Sequence, residues 1–251
     1  MSAHEEDRAA IEARGVWRSF GSRTVLRALD LRVAIGSSFA LVGMNGTGKT
    51  TCIKALLDLA AADRGEIAIF GQPHNRLGAR QQVAYLPERF LPPYYLKGGD
   101  FLRYIARLHG REHDEGAAVA MCERLDLDAE ALRRPVREYS KGMAQKLGIA
   151  SCLLSEKPLL ILDEPLSGLD PKARLLTKRA LLDLKARGTT LLFSTHMLHD
   201  VEEICDTMGI LHGGSLRFVG TPGACVRQYS AESLEHAYLD CVSLTLTASA
   251  A

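Results

Sequence analysis

Long apolar runs are missing from this chain, as are dense basic runs and paired cysteines. No stretch approaches the roughly 18 uncharged apolar residues needed to cross a bilayer. The opening Met1-Ser2-Ala3-His4-Glu5-Glu6-Asp7-Arg8 is acidic and lacks the apolar core of a secretory signal. The chain is therefore expected to be soluble and cytoplasmic. With 31 basic and 30 acidic residues the formal net charge is +1, which supplies no global field for nucleic acid, and none is expected as a partner. The six cysteines, Cys52, Cys122, Cys152, Cys205, Cys225 and Cys241, form no Cys-x-x-Cys pair and have no histidines clustered beside them. That argues against a cysteine–metal site or a disulfide framework and for reduced, mostly buried thiols. No internal repeat is present.

What is present fits one sizeable α/β domain with an inserted lobe: 251 residues, of which 47% are hydrophobic and 24% charged. Up to about residue 86 the chain is rich in β-like runs, namely Val25-Leu26, residues 29–35, Phe39-Ala40-Leu41-Val42, Glu66-Ile67-Ala68-Ile69-Phe70 and Val83-Ala84-Tyr85-Leu86. Gly15, Gly21, Gly36 and Gly71-Gln72-Pro73 read as the turns between them. From about 95 to 155 the pattern is helical, with Phe101, Leu102, Ile105 and Leu108 on one face and Met121, Cys122 and Leu125 on another. Beyond it the chain alternates again: a buried strand at Leu159-Leu160-Ile161-Leu162, a helix over 175–184, and a strand at Thr189-Thr190-Leu191-Leu192-Phe193. This is the rhythm of a mostly parallel sheet with crossover helices, interrupted by a helical insertion. After about Thr221 an amphipathic turn at Leu234 and Tyr238 leads into a Ser/Thr/Ala end expected to be loosely ordered.

The densest chemistry lies at Gly43-Met44-Asn45-Gly46-Thr47-Gly48-Lys49-Thr50, which has P-loop spacing between a short apolar strand and a helical pattern. Gly43, Gly46 and Gly48 allow the backbone to turn its N–H groups inward, and the helix beginning near Gly48 aims its positive dipole end at a phosphate. Lys49 would reach the β and γ phosphates, and Thr50 would ligate Mg²⁺. The apolar run at 159–162 ends in Asp163-Glu164-Pro165. A carboxylate at the C-terminal end of a strand beside the P-loop strand can hold Mg²⁺ through water, which suits Asp163. Glu164, one residue on, is placed to polarise the attacking water. Either could instead merely cap the turn. Between these motifs, Tyr139-Ser140-Lys141-Gly142-Met143 opens a helix with a hydroxyl, a bare backbone and a dipole end, which serves equally as an N-cap or as an anion site.

In their order these motifs resemble the ATP-binding subunit of the ABC transporter family over roughly residues 11–220. The resemblance implies a P-loop NTPase core with a mostly parallel sheet, an antiparallel β-subdomain and an inserted α-helical subdomain at about 95–155. Residues 221–251 then form a C-terminal helix and tail. It implies that Phe20 stacks on adenine, that Gly43, Asn45, Gly46, Thr47, Gly48, Lys49, Thr50 and Thr51 form Walker A, and that Ser140 and Gly142 belong to the signature. Asp163 closes Walker B, with Glu164 as the hydrolytic carboxylate. Ser167-Gly168-Leu169-Asp170 form the D-loop, and His196 in Phe193-Ser194-Thr195-His196 is the switch histidine that contacts the γ-phosphate. The bound species are ATP and Mg²⁺. The partners implied are transmembrane permease subunits and a second ATPase chain, either another copy or a paralogue, with the protein peripheral on the cytoplasmic face of the membrane.

Two positions depart from the family pattern. Glu88 follows the strand at 83–86 where a Q-loop glutamine is expected; it can approach Mg²⁺ and water but adds negative charge beside phosphate. Gln81 and Gln82 precede that strand and are assigned to its edge. The signature reads Tyr-Ser-Lys-Gly-Met, with Lys141 directed to solvent rather than to phosphate. Both departures, and the tail at Ser233-Leu234-Glu235, resemble ATPases of the ABC-2 type, whose usual task is export. Pro92-Pro93-Tyr94-Tyr95-Leu96 is a candidate docking surface for a coupling helix of the membrane subunits; the alternative packs these aromatics under the helical lobe. Two other functions are weighed against transport: an ABC machine acting on nucleic acid or the ribosome, and an ATP-gated clamp with little turnover.

Overall fold

In the computed structural model of the chain, residues 8–248 are described, with their side chains as far as residue 243. The acidic opening through Asp7 and the last three residues of the expected Ser/Thr/Ala end lie outside the described residues. The chain begins with two long strands, β1 (Ala9–Phe20) and β2 (Arg23–Ala34), followed by the short apolar β3 (Ser38–Val42) and α1 (Lys49–Leu56). Then come β4 (Arg64–Ile69), β5 (Gln72–Pro73), α2 (Leu77–Arg80) and β6 (Val83–Leu86). The helical lobe holds α3 (Gly98–Leu108), α4 (Glu115–Arg124) and α5 (Lys141–Leu153), with two short 3₁₀ turns between the last two. The chain returns through β7 (Leu159–Asp163), α6 (Pro171–Ala186), β8 (Thr190–Thr195), α7 (Leu198–Ile204), β9 (Thr207–His212) and β10 (Ser215–Gly220), then ends in α8 (Pro222–Gln228) and α9 (Leu234–Ala248).

Two sheets result. Strands β2-β1-β4-β5 make an antiparallel sheet, and β10-β9-β3-β8-β7-β6 make the second, parallel except for β10. The β3, β7 and β8 residues are buried throughout, so these strands read as continuous apolar runs rather than as alternations. One apolar cluster joins the lobe and the C-terminal helices to one face of the parallel sheet. The other fills the space between the two sheets around α1. The parallel register fixes where the chemistry goes: Val42 pairs with Thr195 and Asp163 with Ser194, so the ends of β3, β7 and β8 lie side by side. Ligands of such sheets bind at the carboxyl ends of the strands.

Three local expectations change. Gly15 is not a turn: β1 runs through it, and the glycine sits at φ +56 in an irregularity of the β1–β2 ladder, its N–H donating to Asp30 Oδ1 at 2.7 Å. Leu108 does not share the buried face of α3 with Phe101 and Leu102, but is 64% exposed at the helix end. The C-terminal segment is helical further than expected, with α9 continuing to Ala248 and burying Leu234, Ala237, Tyr238 and Cys241. All six cysteines are free, five of them buried, and burial pushes the Cys52, Cys122 and Cys152 thiols up to about 12. No helix among the described residues is long and apolar enough to cross a membrane.

Candidate functional site

The loop between β3 and α1 is held by its own backbone. Gly43 N–H donates to Thr195 O at 3.3 Å, and a Cβ at Gly43 would lie 2.7 Å from Thr47 Oγ1 and 2.8 Å from Leu211 O. Gly48 stands at φ +109, a conformation that side chains rarely adopt, and a Cβ there would be 3.0 Å from Val25 Cγ1. It opens α1 without a side-chain cap, so the first N–H groups of that helix stay available to an anion. Lys49, almost fully buried, is folded back: its Nζ donates to Gly43 O at 2.6 Å and pairs with Glu164 Oε1 at 3.1 Å.

Asp163 and Glu164 end β7 in different ways. Asp163 has no exposure; Ser194 Oγ donates to its Oδ1, while its Oδ2 is buried with no hydrogen-bond partner. Its negative field acts on its neighbours: the Tyr85 hydroxyl and the Cys52 thiol are pushed up to about 12, chiefly by burial and then by Asp163. The strand that ends in Asp163 is not next to the P-loop strand as expected, since β8 lies between β7 and β3, yet an orphaned carboxylate oxygen at the carboxyl end of the same sheet suits a hydrated divalent cation, so the residues present fit Mg²⁺. Glu164 takes φ +50, a left-handed conformation unusual for a side-chain-bearing residue. Its N–H donates to Ser194 Oγ at 2.9 Å, and its O accepts from Ser167 N–H at 3.1 Å. The turned backbone sends its carboxylate back over the loop, with Oε1 on Lys49 and Oε2 3.0 Å from His196 Nδ1.

An open cleft of about 520 Å³ gathers Phe20, Asn45, Gly46, Gly48, Lys49, Thr50, Thr51, Glu88 and Glu164, together with Arg23 and Val25. A second cavity of about 160 Å³ adjoins it through Glu164 and is lined by Ser167, Gly168, Arg174, Ser194, His196 and Asp200. Most of the site residues read from sequence are therefore brought together around Glu164. Six of them line neither cavity: Gly43 and Thr47 shape the loop, Asp163 is fully buried behind the cleft, and Ser140, Gly142 and Asp170 lie elsewhere. Ser140 caps α5, accepting from Met143 N–H at 3.2 Å, and Asp170 caps α6, accepting from Ala173 N–H at 3.0 Å. Lys141 is exposed against Gly168, away from the P-loop. Glu88 is exposed at the cleft, and Gln82 lies at the edge of β6, where its O accepts from Leu159 N–H. In the segment after Glu88, Phe90 and Leu96 pack on the core, while Leu91, Tyr94 and Tyr95 are 87%, 69% and 67% exposed.

Sequence reasoning left Ser194, Arg23 and the Arg174–Asp200 pair without roles. Asp200 is fully buried, and both its oxygens accept from Arg174, which ties α7 to α6 just beyond His196. The signal for Ser194 is a hydroxyl directly after the apolar run Leu191-Leu192-Phe193; the signal for Asp200 is a carboxylate on the inward face of a helix.

These features have counterparts among known proteins. The family model described as ABC transporter matches residues 26–167. An uncharacterized ABC transporter ATP-binding protein of Synechocystis sp. is 39% identical over 78% of this chain and 56% of its own length, so the chain spans little more than half of that relative. The Nod factor export ATP-binding protein I of a Rhizobium sp. is 34% identical over 88% of this chain and 74% of its own. A solved structure described as the ATP binding subunit of an ABC transporter matches with TM-score 0.82 and 33% identity, covering 92% of this chain and 99% of that one. On these matches, together with the P-loop that the family model spans, the chain belongs to the ABC transporter family, as one of its ATP-binding domains.

Proposed function

We propose that the chain hydrolyses ATP and uses it to drive export through separate transmembrane permease subunits, acting as a pair of ATPase chains on the cytoplasmic face of the membrane. The observation that carries this reading is Glu164 itself, a buried carboxylate bracketed by Lys49 at 3.1 Å and His196 at 3.0 Å and fixed in a left-handed backbone. With Lys49 on Oε1 and His196 on Oε2, the Glu164 carboxylate is occupied on both oxygens. A γ-phosphate in the cleft competes for the Lys49 ammonium, and release of Oε1 leaves the carboxylate free to take a proton from water poised in line with the phosphorus. His196 holds Oε2 so that the base does not swing away. Thr50 and Asp163 would hold Mg²⁺, with Glu88, which lines the same cleft as Thr50, as a further candidate ligand; the ion would supply charge neutralisation on the phosphates.

Position supports a pair of chains. Ser140 and Gly142 stand outside the cleft with a helix N-terminus behind them, so they serve the nucleotide of a second copy or paralogue rather than their own. Tyr94 and Tyr95, exposed and packed edge to face with ring centroids 5.6 Å apart, offer the permease an amphipathic surface beside Glu88. Export as the direction rests on relatives such as the Nod factor export protein. The test is phosphate release by the purified chain with its permease. Glu164→Gln is expected to lower the rate by roughly 10²–10⁴-fold while ATP still binds. Equal rates in wild type and variant would leave a nucleotide-gated clamp, and co-purification with ribosomes or nucleic acid instead of a membrane protein would remove transport.

A further inference from the structure

The ring expected to receive the base does not stand alone. Phe20 is 51% exposed at the end of β1. An exposed ring at a hairpin tip ordinarily moves among rotamers and loses that freedom when a ligand stacks on it. Here one face of the ring is already taken: Arg18 Cζ lies 4.6 Å from its centroid, because residues two apart on a strand share a face. Arg18 is fixed in turn. Its Nη1 donates to Asp63 Oδ1 at 3.0 Å, Asp63 Oδ2 accepts from Ser19 N–H at 2.7 Å, and Asp63 N–H donates to Trp17 O at 2.8 Å. One aspartate on the approach to β4 therefore grips three consecutive residues immediately before Phe20. Arg18 Nε is buried with no hydrogen-bond partner, a cost that is offset by holding the guanidinium over the π face.

We propose that Arg18 and Asp63 are positioning residues for the nucleobase: Arg18 stacks on one face of Phe20, Asp63 locks Arg18, and the planar base of the nucleotide takes the face left free. The inference rests on Phe20 being the base platform of the proposed ATP site. Its ligand chemistry is the aromatic base, not the phosphates, which belong to the glycine-rich loop that lines the same cleft. The stack prepays the ordering of the ring, so its loss should show in affinity for a nucleotide and not for a bare polyphosphate.

Calorimetric titration of the full chain with ADP and with inorganic pyrophosphate, both with Mg²⁺, tests this. Arg18→Ala is expected to weaken ADP roughly two- to fivefold and leave pyrophosphate unchanged. Arg18→Lys, which keeps the charge and the reach to Asp63 but not the planar stack, should recover part of the loss. Asp63→Asn should resemble Arg18→Ala, since the amide oxygen can still accept from Ser19 while the charge on Arg18 goes unpaired. In a Phe20→Ala background, Arg18→Ala should cost nothing further, because there is no ring left to hold. Equal weakening of ADP and pyrophosphate, no change in ADP, or an undiminished cost without the ring would each overturn the proposal. Phe20→Ala with unaltered ADP affinity would instead remove the base platform itself, and the proposal with it.

Discussion

Glu164 bonds through its backbone as much as through its carboxylate. Its left-handed φ of +50 is a strained state for a residue with a side chain, and such states persist only where neighbours impose them. Ser194 is the neighbour here, taking the Glu164 N–H and giving its own proton to Asp163. Ser194→Ala should leave a buried N–H and a buried carboxylate oxygen unpaired, costing about 1–3 kcal/mol in stability, and should lower turnover more than nucleotide affinity. Denaturant melts and kcat against KM check this; an unchanged kcat would mean Glu164 holds its place without the serine. Gly48→Ala is a second case. The φ of +109 and the 3.0 Å approach to Val25 predict a loss of about 1–3 kcal/mol and a larger loss of ADP binding, measured by the same melts and titrations. Legibility at this scale follows sequence distance. The loop from Gly43 to Thr51 was readable because its chemistry is local, and Asp163, Glu164 and His196 because each follows an apolar strand. Ser194 bonds to Asp163 across 31 residues and Arg18 to Asp63 across 45, which no spacing rule foretells.

Elements show the same divide. The short apolar strands β3, β7 and β8 were legible from their composition, whereas β1 was not, since Gly15 reads as a turn and only the ladder with β2 and β4 carries the strand past it. The seam between the lobe and the two-sheet core is likewise a product of folding. Asp126, at φ +60 beyond the end of α4, pairs with Lys146 of α5 at 3.0 Å and Lys172 of α6 at 2.5 Å. Hydrogen bonds first from Lys172 and then from Lys146 hold its carboxyl below the usual carboxylate range. A depressed folded pKa contributes stability that is present above the unfolded value, near 4, and fades as pH falls through the folded one. Asp126→Asn, which tolerates the left-handed backbone, should therefore lower Tm at pH 7 by an amount that shrinks below about pH 4. A Tm difference independent of pH would show that the ion pairs do not stabilise the seam.

At the scale of the whole molecule, the carboxyl ends of β3, β6, β7 and β8 deliver Lys49, Glu88, Asp163, Glu164 and His196 to one edge, while α5 and α6 present Ser140, Gly142 and Asp170 elsewhere. The order of motifs made the fold and this edge readable from sequence. The separation of Ser140 and Gly142 from the cleft is a property of the folded chain, and under the proposed function it gives one chain two halves of different sites. If Glu164 acts in a site completed by another chain, Glu164→Gln should sediment as a dimer with MgATP and as a monomer without it, a dimer that wild type does not accumulate and that a second change, Gly142→Asp, abolishes. A variant that stays monomeric at saturating ATP, or that dimerises regardless of Gly142, would show that Glu164 acts without a partner chain.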